Sequence, residues 1–401
     1  MTRSAGAWEV DQYQYRLIGP TVLGSGTAFV HNSMTTKDSS LAQTRAIAES
    51  VERTASTTSA GLEIVYAARR DLNGEALDIA EVPQCSALEY AHPNCPLAPV
   101  TDSHRLHWCR AAELTTSADC LVPLAMVVGM RPADEVPFWL PISTGCAAHV
   151  DRESALINAI LEVFERDAVA LTWEQMLPLP LLDEQCLSPA VNDLIAWRRE
   201  RFIDTHVFDA TTDAGVPTVY VVSAAPEGAG LLHDVACAAA LTPRDAADRA
   251  VREAMVGYGF EIREDPKPLT EFETLSDGTL YSGRREASAA FDFLLDRRSI
   301  PTKALPRPIS EGADTAADAL ADLVELLQKN RLAAYAVDLS TTESSYFGLC
   351  VWKVIIPRLQ PFSPRPLARF RGHARLYSAP SRMGYEVHPE TRLNPYPQPF
   401  T

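Results

Sequence analysis

The 401-residue chain lacks the marks of several protein classes. Positive charge is in deficit: 36 Lys and Arg face 52 Asp and Glu, a formal net charge of −16. That balance argues against nonspecific binding to DNA or RNA. No apolar run reaches the roughly 18–20 residues that span a bilayer. The nearest, Leu121 to Met130, is interrupted by Pro123. The stretch from Met1 to Glu9 carries no apolar signal-like core. The eight cysteines form no CxxC and fit no common zinc spacing, so they read as reduced thiols. No solenoid period is visible. The expectation is a cytoplasmic globular protein that engages neither nucleic acid nor membrane. With 46% hydrophobic and 22% charged residues, it is long enough to bury a sizeable core.

What the chain does have is one carboxylate pattern used twice. It reads Glu49-Ser-Val-Glu52-Arg53 and, far downstream, Glu162-Val-Phe-Glu165-Arg166. Residues three apart share a helix face, so each copy sets two carboxylates side by side. Such like charges repel by roughly 0.2–0.5 kcal/mol even on an exposed helix. A single ExxER on a surface helix is ordinarily solvated decoration. Two copies, each embedded in Ala, Ile, Leu, Val and Phe, point instead to a cation between them. Glu49, Glu52, Glu162 and Glu165 are all hard oxygen donors with no His among them, which suits Mg²⁺ better than zinc. Arg45, Arg53 and Arg166 lie near the same carboxylates and can meet phosphate oxygens. Arg45 precedes Glu49 by four residues and so is expected to touch a phosphate or brace Glu49. Glu253, on a third helix, adds a further acid.

The pattern of elements predicts an α+β fold in one unit, residues 1–401. Residues 8–37 read as strands, broken at Gly24-Ser-Gly-Thr. Helices are expected from Asp38 to about Thr54, from Arg152 to Gln175, from Arg244 to about Tyr258 and from Thr315 to Lys329. Strands are expected at Cys120–Val128, Val207–Asp209, Val216–Ala224, Leu332–Leu339 and Leu349–Ile356. Residues 76–106, rich in Pro, His and Cys, read as a long excursion, and residues 264–315 as irregular.

Two further features stand out. Residues 351–382 hold Lys353, Arg358, Arg365, Arg369, Arg371, Arg375 and Arg382 with no Asp or Glu. This segment can face ATP phosphates, an acidic peptide or acidic groups of the same protein. The chain then ends Asn394-Pro395-Tyr396-Pro397-Gln398-Pro399-Phe400-Thr401. Proline at every second position enforces an extended segment that loses little entropy on ordering. Either a tail reaching into a cleft or a disordered terminus fits that composition.

At these residues the chain resembles the YcaO family, ATP-dependent enzymes that activate backbone amides of peptides. The resemblance runs over roughly residues 15–401. It takes in the Glu49/Glu52/Arg53 helix, the Ser143-Thr-Gly-Cys-Ala-Ala turn and Glu162-x-x-Glu165-Arg166-Asp167-Ala168. It continues through Ala250-Val-Arg-Glu253-Ala, Asp338-Leu-Ser-Thr-Thr, Val354-Ile-Ile-Pro357-Arg-Leu-Gln-Pro361 and the PxPxP ending. The resemblance implies a YcaO-like fold, long acidic helices on mixed or antiparallel sheets with the ATP site between them. It implies that Glu49, Glu52, Glu162 and Glu165 hold Mg²⁺ and nucleotide, joined by Lys37, Arg45, Asn158, Arg166 and Glu253. Lys37 sits in Thr-Thr-Lys-Asp where relatives carry a Gly-Lys-Gly-like turn. Arg45 stands where a Ser is usual.

A PxPxP ending resembles the azoline-forming cyclodehydratases of ribosomally made peptides. There the tail, residues 388–401 here with Pro397, Pro399 and Thr401, orders the active site. The implied reaction starts when a Cys, Ser or Thr side chain of the peptide attacks the preceding carbonyl. The resulting oxygen takes the γ-phosphoryl of ATP and leaves as phosphate, giving a thiazoline or oxazoline. The implied partners are a precursor peptide, an E1-like or ThiF-like leader-binding protein and a second copy of the chain. With sulfide or an amine as nucleophile the same activation gives a thioamide or amidine. A catalytically idle peptide-binding scaffold is a further reading, and so is a cysteine hydrolase built on Cys146 and His149.

Overall fold

The computed structural model describes residues 2–3, 12–20, 28–36, 39–72, 76–129, 132–226, 231–255, 267–296, 302–310 and 312–400, with side chains from Thr44 onward. Three sheets are bound together by three acidic helices. A three-stranded antiparallel sheet comes first, Thr2–Arg3, Gln12–Pro20 and Ala28–Thr36. The six-stranded sheet runs Ile64–Ala68, Arg105–Glu113, Tyr335–Asp338, Cys350–Ile355 and Cys146–His149 in spatial order, with Asp119–Pro123 also paired to Arg105–Glu113. The five-stranded sheet runs His233–Ala239, Thr218–Ala224, Asp204–Asp209, Leu181–Leu182 and Thr302–Lys303. Its last pairing is parallel and the others are antiparallel. The expected α+β class with long helices on mixed and antiparallel sheets is the fold observed.

The first acidic helix, Ser39–Ala55, packs on the three-stranded sheet and against strand Cys146–His149. The second, Arg152–Glu174, is the central rod, about 34 Å long at 1.5 Å per residue. Asp151 caps it by accepting the Ser154 N–H at 2.8 Å, and Met176, at φ 49°, turns the chain away at its end. Its first half buries Leu156, Ile160 and Phe164 against the six-stranded sheet. Its second half buries Val169, Leu171 and Trp173 against the five-stranded sheet. The third, Pro243–Glu253, starts with Pro at its first turn behind the Thr242 cap and lies on His233–Ala239 and Thr218–Ala224. Strand Thr218–Ala224 is covered on both sides. Val219 and Val221 face the third helix, while Tyr220 and Val222 face the second. Among the described residues no helix is long and apolar enough to cross a membrane.

Two expectations change, and one helix was not foreseen. The strand foreseen at Cys120–Val128 stops at Pro123, and Leu124–Met126 forms a 3₁₀ turn, because proline offers no N–H to extend the ladder. The stretch foreseen as irregular contains the helix Leu275–Ser282, whose Thr274 and Asp277 form a capping box, followed by helical turns to Leu295. The Pro- and Arg-rich end contains the helix Arg375–Met383.

Candidate functional site

The two ExxER segments meet at one turn. Ile142 to Gly145 leads into strand Cys146–His149, and Gly145 sits at φ 81°, a left-handed backbone that suits glycine. A Cβ there would lie 2.3 Å from the Val354 carbonyl oxygen, so the turn is pressed directly on the neighbouring strand. The Gly145 N–H donates to Glu162 Oε2 at 3.0 Å. Ser143 Oγ accepts from Arg53 Nη1. Arg53 in turn pairs with Glu49 at 3.8 Å. One short turn therefore touches both acidic helices.

On the second helix, Arg166 lies 3.6 Å from Glu162 and 3.7 Å from Glu165. Glu165 also accepts the Ala239 N–H at 3.4 Å, which ties it to the five-stranded sheet. The carboxylates crowd one another. Burial pushes Glu52 up to about 8, and Glu162 adds to the rise. Burial pushes Glu165 up to about 8 against the pull of Arg166. Burial also raises Glu49. Glu253 is exposed at the end of the third helix, and the protein around it raises its carboxyl to about 7. Glu162, Glu49 and Asp234 all contribute repulsion there. Burial opposes the Arg166 charge, but Glu165, Glu162 and Glu253 hold its pKa above the ordinary arginine value. Arg166 Nη1 is buried without a hydrogen-bond partner among the described residues.

Arg45 stands apart from this pairing. Glu49 takes Arg53 as its partner, one turn on, and not Arg45. Burial lowers the Arg45 pKa, and the positive charges of Arg249 and Arg252 on the third helix lower it further. Asn158 is half-buried one turn before Glu162. Lys37 and Thr401 lie outside the described residues.

Sequence reasoning treated Lys353 only as part of a basic stretch. Its side chain is 2% exposed, and Nζ donates to the carbonyls of Thr144 at 2.7 Å and Ile142 at 3.3 Å. The arginines of that stretch pair with the protein's own acids. Arg375 forms two 2.6 Å bonds to the fully buried Asp167 and one of 3.0 Å to Asp213. Arg382 pairs with Asp213, Arg358 with Glu81 and Arg365 with Glu273. Arg369 and Arg371 both bind Glu174 at the end of the second helix. Of the three readings left open for this segment, pairing with the protein's own acids is the one observed.

The terminal prolines lie in a built groove. Pro397, Gln398, Pro399 and Phe400 are buried. Arg369 Nη1 and Arg371 Nη2 donate to the Asn394 carbonyl at 2.8 Å each, and Arg369 Nη2 to that of Tyr396. Trp173 Nε1 donates to the Tyr396 carbonyl at 3.1 Å, and Thr279 Oγ1 to that of Pro399 at 2.8 Å. The Phe400 ring then covers the Arg166 guanidinium, 4.3 Å from its centroid.

Cys146 and His149 do not form a nucleophile and base. Cys146 is buried, burial raises its thiol, and His149 instead meets Asp151 at 2.8 Å.

Among the described residues no three His, Cys, Asp or Glu side chains gather closely enough to cage a metal by themselves. The donor set nevertheless fits Mg²⁺ carried in with a nucleotide, which needs only one or two carboxylates beside phosphate and water oxygens. The unpartnered Arg166 Nη1 is a donor left for an anion.

A family model described as YcaO cyclodehydratase, ATP- and Mg²⁺-binding, matches residues 35–360. Among solved structures, the chain is similar to a heterocyclase in complex with substrate and cofactor, at 25% identity and a TM-score of 0.81. That match covers 97% of this chain and 53% of the other, so the chain spans about half the length of that heterocyclase. It is also similar to the YcaO from Methanopyrus kandleri bound with AMPPCP and Mg²⁺, at 19% identity and a TM-score of 0.64, covering 87% and 83%. A third similar structure is the E. coli microcin synthetase McbBCD complex with pro-MccB17 bound, at 13% identity and 0.64, covering 99% and 98%. No curated protein matches the chain.

Proposed function

The chain belongs to the YcaO family, and from that premise we propose that it is an ATP-dependent cyclodehydratase forming thiazolines or oxazolines in a ribosomally made peptide. The observation that carries the reading is the pair of acidic helices clasped by one turn, with Arg166 between the carboxylates and one of its donors unpartnered. ATP·Mg²⁺ supplies the phosphoryl group that makes a poor leaving group, the amide oxygen, a good one. The chain's own task is to position groups and neutralise phosphate charge.

Glu49 and Glu52 from one helix, and Glu162 and Glu165 from the other, would supply the one or two carboxylates that nucleotide-borne Mg²⁺ needs. Arg166 directs Nη1 at the oxygen where negative charge develops. Arg45 and Glu253 line the outer part of the cleft, with Asn158 beside Glu162. The extended tail, through Pro397, Pro399 and the terminal residues, holds the side of the site next to Arg166 and keeps water from it. In this reading an E1-like or ThiF-like protein presents the peptide's leader, the chain acts as a homodimer, and the reaction takes place in the cytoplasm.

The test is phosphate release and peptide mass. With a precursor peptide and its leader-binding protein, the wild type should consume ATP and remove the mass of one water per ring. Glu52→Gln and Glu165→Gln should abolish both while the fold stays intact. Normal ATP consumption in both variants would sink the site assignment. A peptide that gains mass by exchange of oxygen for sulfur would replace the azoline with a thioamide.

A further inference from the structure

We infer that Lys353 is a positioning residue, fixing the turn through which the two acidic helices hold their carboxylates in register. The inference rests on the nucleotide-site reading above. A lysine in the middle of the strand Cys350–Ile355 is unexpected. Val351 and Ile355, on the same side of the strand, belong to an apolar core. An ammonium group withdrawn from water is costly unless its donors are satisfied and its charge is compensated. The first condition is met, and the second in part: nearby acids offset some of the cost, while burial still holds the Lys353 pKa below the ordinary lysine value. Two donors reach the carbonyls of Ile142 and Thr144, one on each side of Ser143. Glu162 and Glu52 are the carboxylates within reach of its charge.

The turn so held is the joint of the site. Its Ser143 hydroxyl receives Arg53 of the first helix, which pairs with Glu49. Its Gly145 N–H is given to Glu162 of the second helix, which pairs with Arg166. The Gly145 carbonyl accepts the Val354 N–H at 2.7 Å, next to Lys353 itself. Loss of the ammonium would free two carbonyls of the turn. Ser143 and the Gly145 N–H would then no longer be aimed at their partners. Lys353 does not need to touch nucleotide or metal to control where Glu162 and Arg53 stand.

Calorimetry of Mg²⁺·AMPPCP binding to the full chain tests this without turnover. Lys353→Met keeps the apolar stem and removes donors and charge. It should weaken binding about tenfold, the loss of about one net hydrogen bond or slightly more, and raise the Mg²⁺ needed for half-saturation. Lys353→Gln keeps N–H donors without the charge and should stay within about threefold of wild type.

Tighter binding by Lys353→Met would mean that Lys353 merely opposes the cation, and would overturn the inference. Unchanged binding with a lower melting temperature would make it a structural lysine and overturn it too. Should the Met variant not fold, Ser143→Ala removes the Arg53 acceptor of the same turn and should weaken binding similarly; unchanged affinity there refutes the joint. A wild type that binds no nucleotide refutes the site assignment and this inference together. Binding by wild type that both variants retain refutes this inference alone.

Discussion

Protons should leave the protein when Mg²⁺ and nucleotide enter. Burial pushes Glu52 and Glu165 up to about 8. At pH 7 the empty cleft therefore holds protons that an unfolded chain, with carboxyls near 4.5, has already released. Two consequences follow in sign. Between about pH 5 and 8 the folded state binds more protons than the unfolded one, so the stability of the ligand-free protein falls as pH rises. The slope is about 1.4 kcal/mol per pH unit for each fully raised carboxyl. A cation and its ionised ligands reverse the preference, so binding expels those protons and strengthens as pH rises toward 8. For one proton released, affinity climbs about tenfold per pH unit. Calorimetry of Mg²⁺·AMPPCP at pH 7, in phosphate and in Tris, reads the proton count from the difference in apparent enthalpy. One to two protons released is the expected result. Equal enthalpies in both buffers, with affinity flat from pH 6 to 8, would refute the reasoning.

Other outcomes follow from contacts of the tail and of the buried arginines. Phe400→Leu removes the ring over Arg166 and should lower kcat about 3- to 30-fold, the equivalent of about 0.5–2 kcal/mol, while Phe400→Trp should restore it; equal kcat in the Leu variant would separate the tail from Arg166. Asp167→Asn breaks the paired bonds to Arg375 in a fully buried setting and should cost about 3–5 kcal/mol in urea unfolding; a loss under about 1 kcal/mol would show that Asp213 carries Arg375 alone. Deleting Pro395 to Thr401 should sharply reduce ring formation while nucleotide binding largely survives, and full ring formation by the truncated chain would make the tail dispensable.

The acidic helices were legible because their message is local. Carboxylates three apart in an apolar helix can be read without knowing what lies opposite. The strands at Thr218–Ala224, Tyr335–Asp338 and Cys350–Ile355 were legible from their apolar runs, whereas Arg105–Glu113, Cys146–His149 and His233–Ala239 were not foreseen, and the second helix was placed within a residue at its end. Lys353 was not legible because its partners, Ile142 and Thr144, lie over 200 positions away, and a lysine in a basic stretch has no local mark of burial. The helix Arg375–Met383 was hidden by Pro380 and by two arginines, Arg375 and Arg382, that look solvent-bound. It is held in place by Asp167 and Asp213, again from distant segments. Of the two roles foreseen for Arg45, a phosphate contact or a brace for Glu49, the brace is taken by Arg53. Helical spacing admits Arg53 equally well, and Arg53 also has Ser143 to hold it.

The second acidic helix also determines how the molecule can move and come apart. Its first half, Leu156 to Phe164, belongs to one apolar core, and its second half, Ala168 to Trp173, to another. Neither core can be opened without withdrawing the rod they share. A chain of this length could divide into two independent domains, but here heat should melt both cores in one cooperative transition, with calorimetric and van't Hoff enthalpies equal. The same rod carries Glu162 and Glu165 near its middle and Glu174 at its end, so no hinge separates the carboxylates from the anchor of the tail. The groove-bound tail is fastened to the same rod, through Trp173, through the Glu174-bound arginines and through Phe400 in the second core, so the rod also sets where the tail lies.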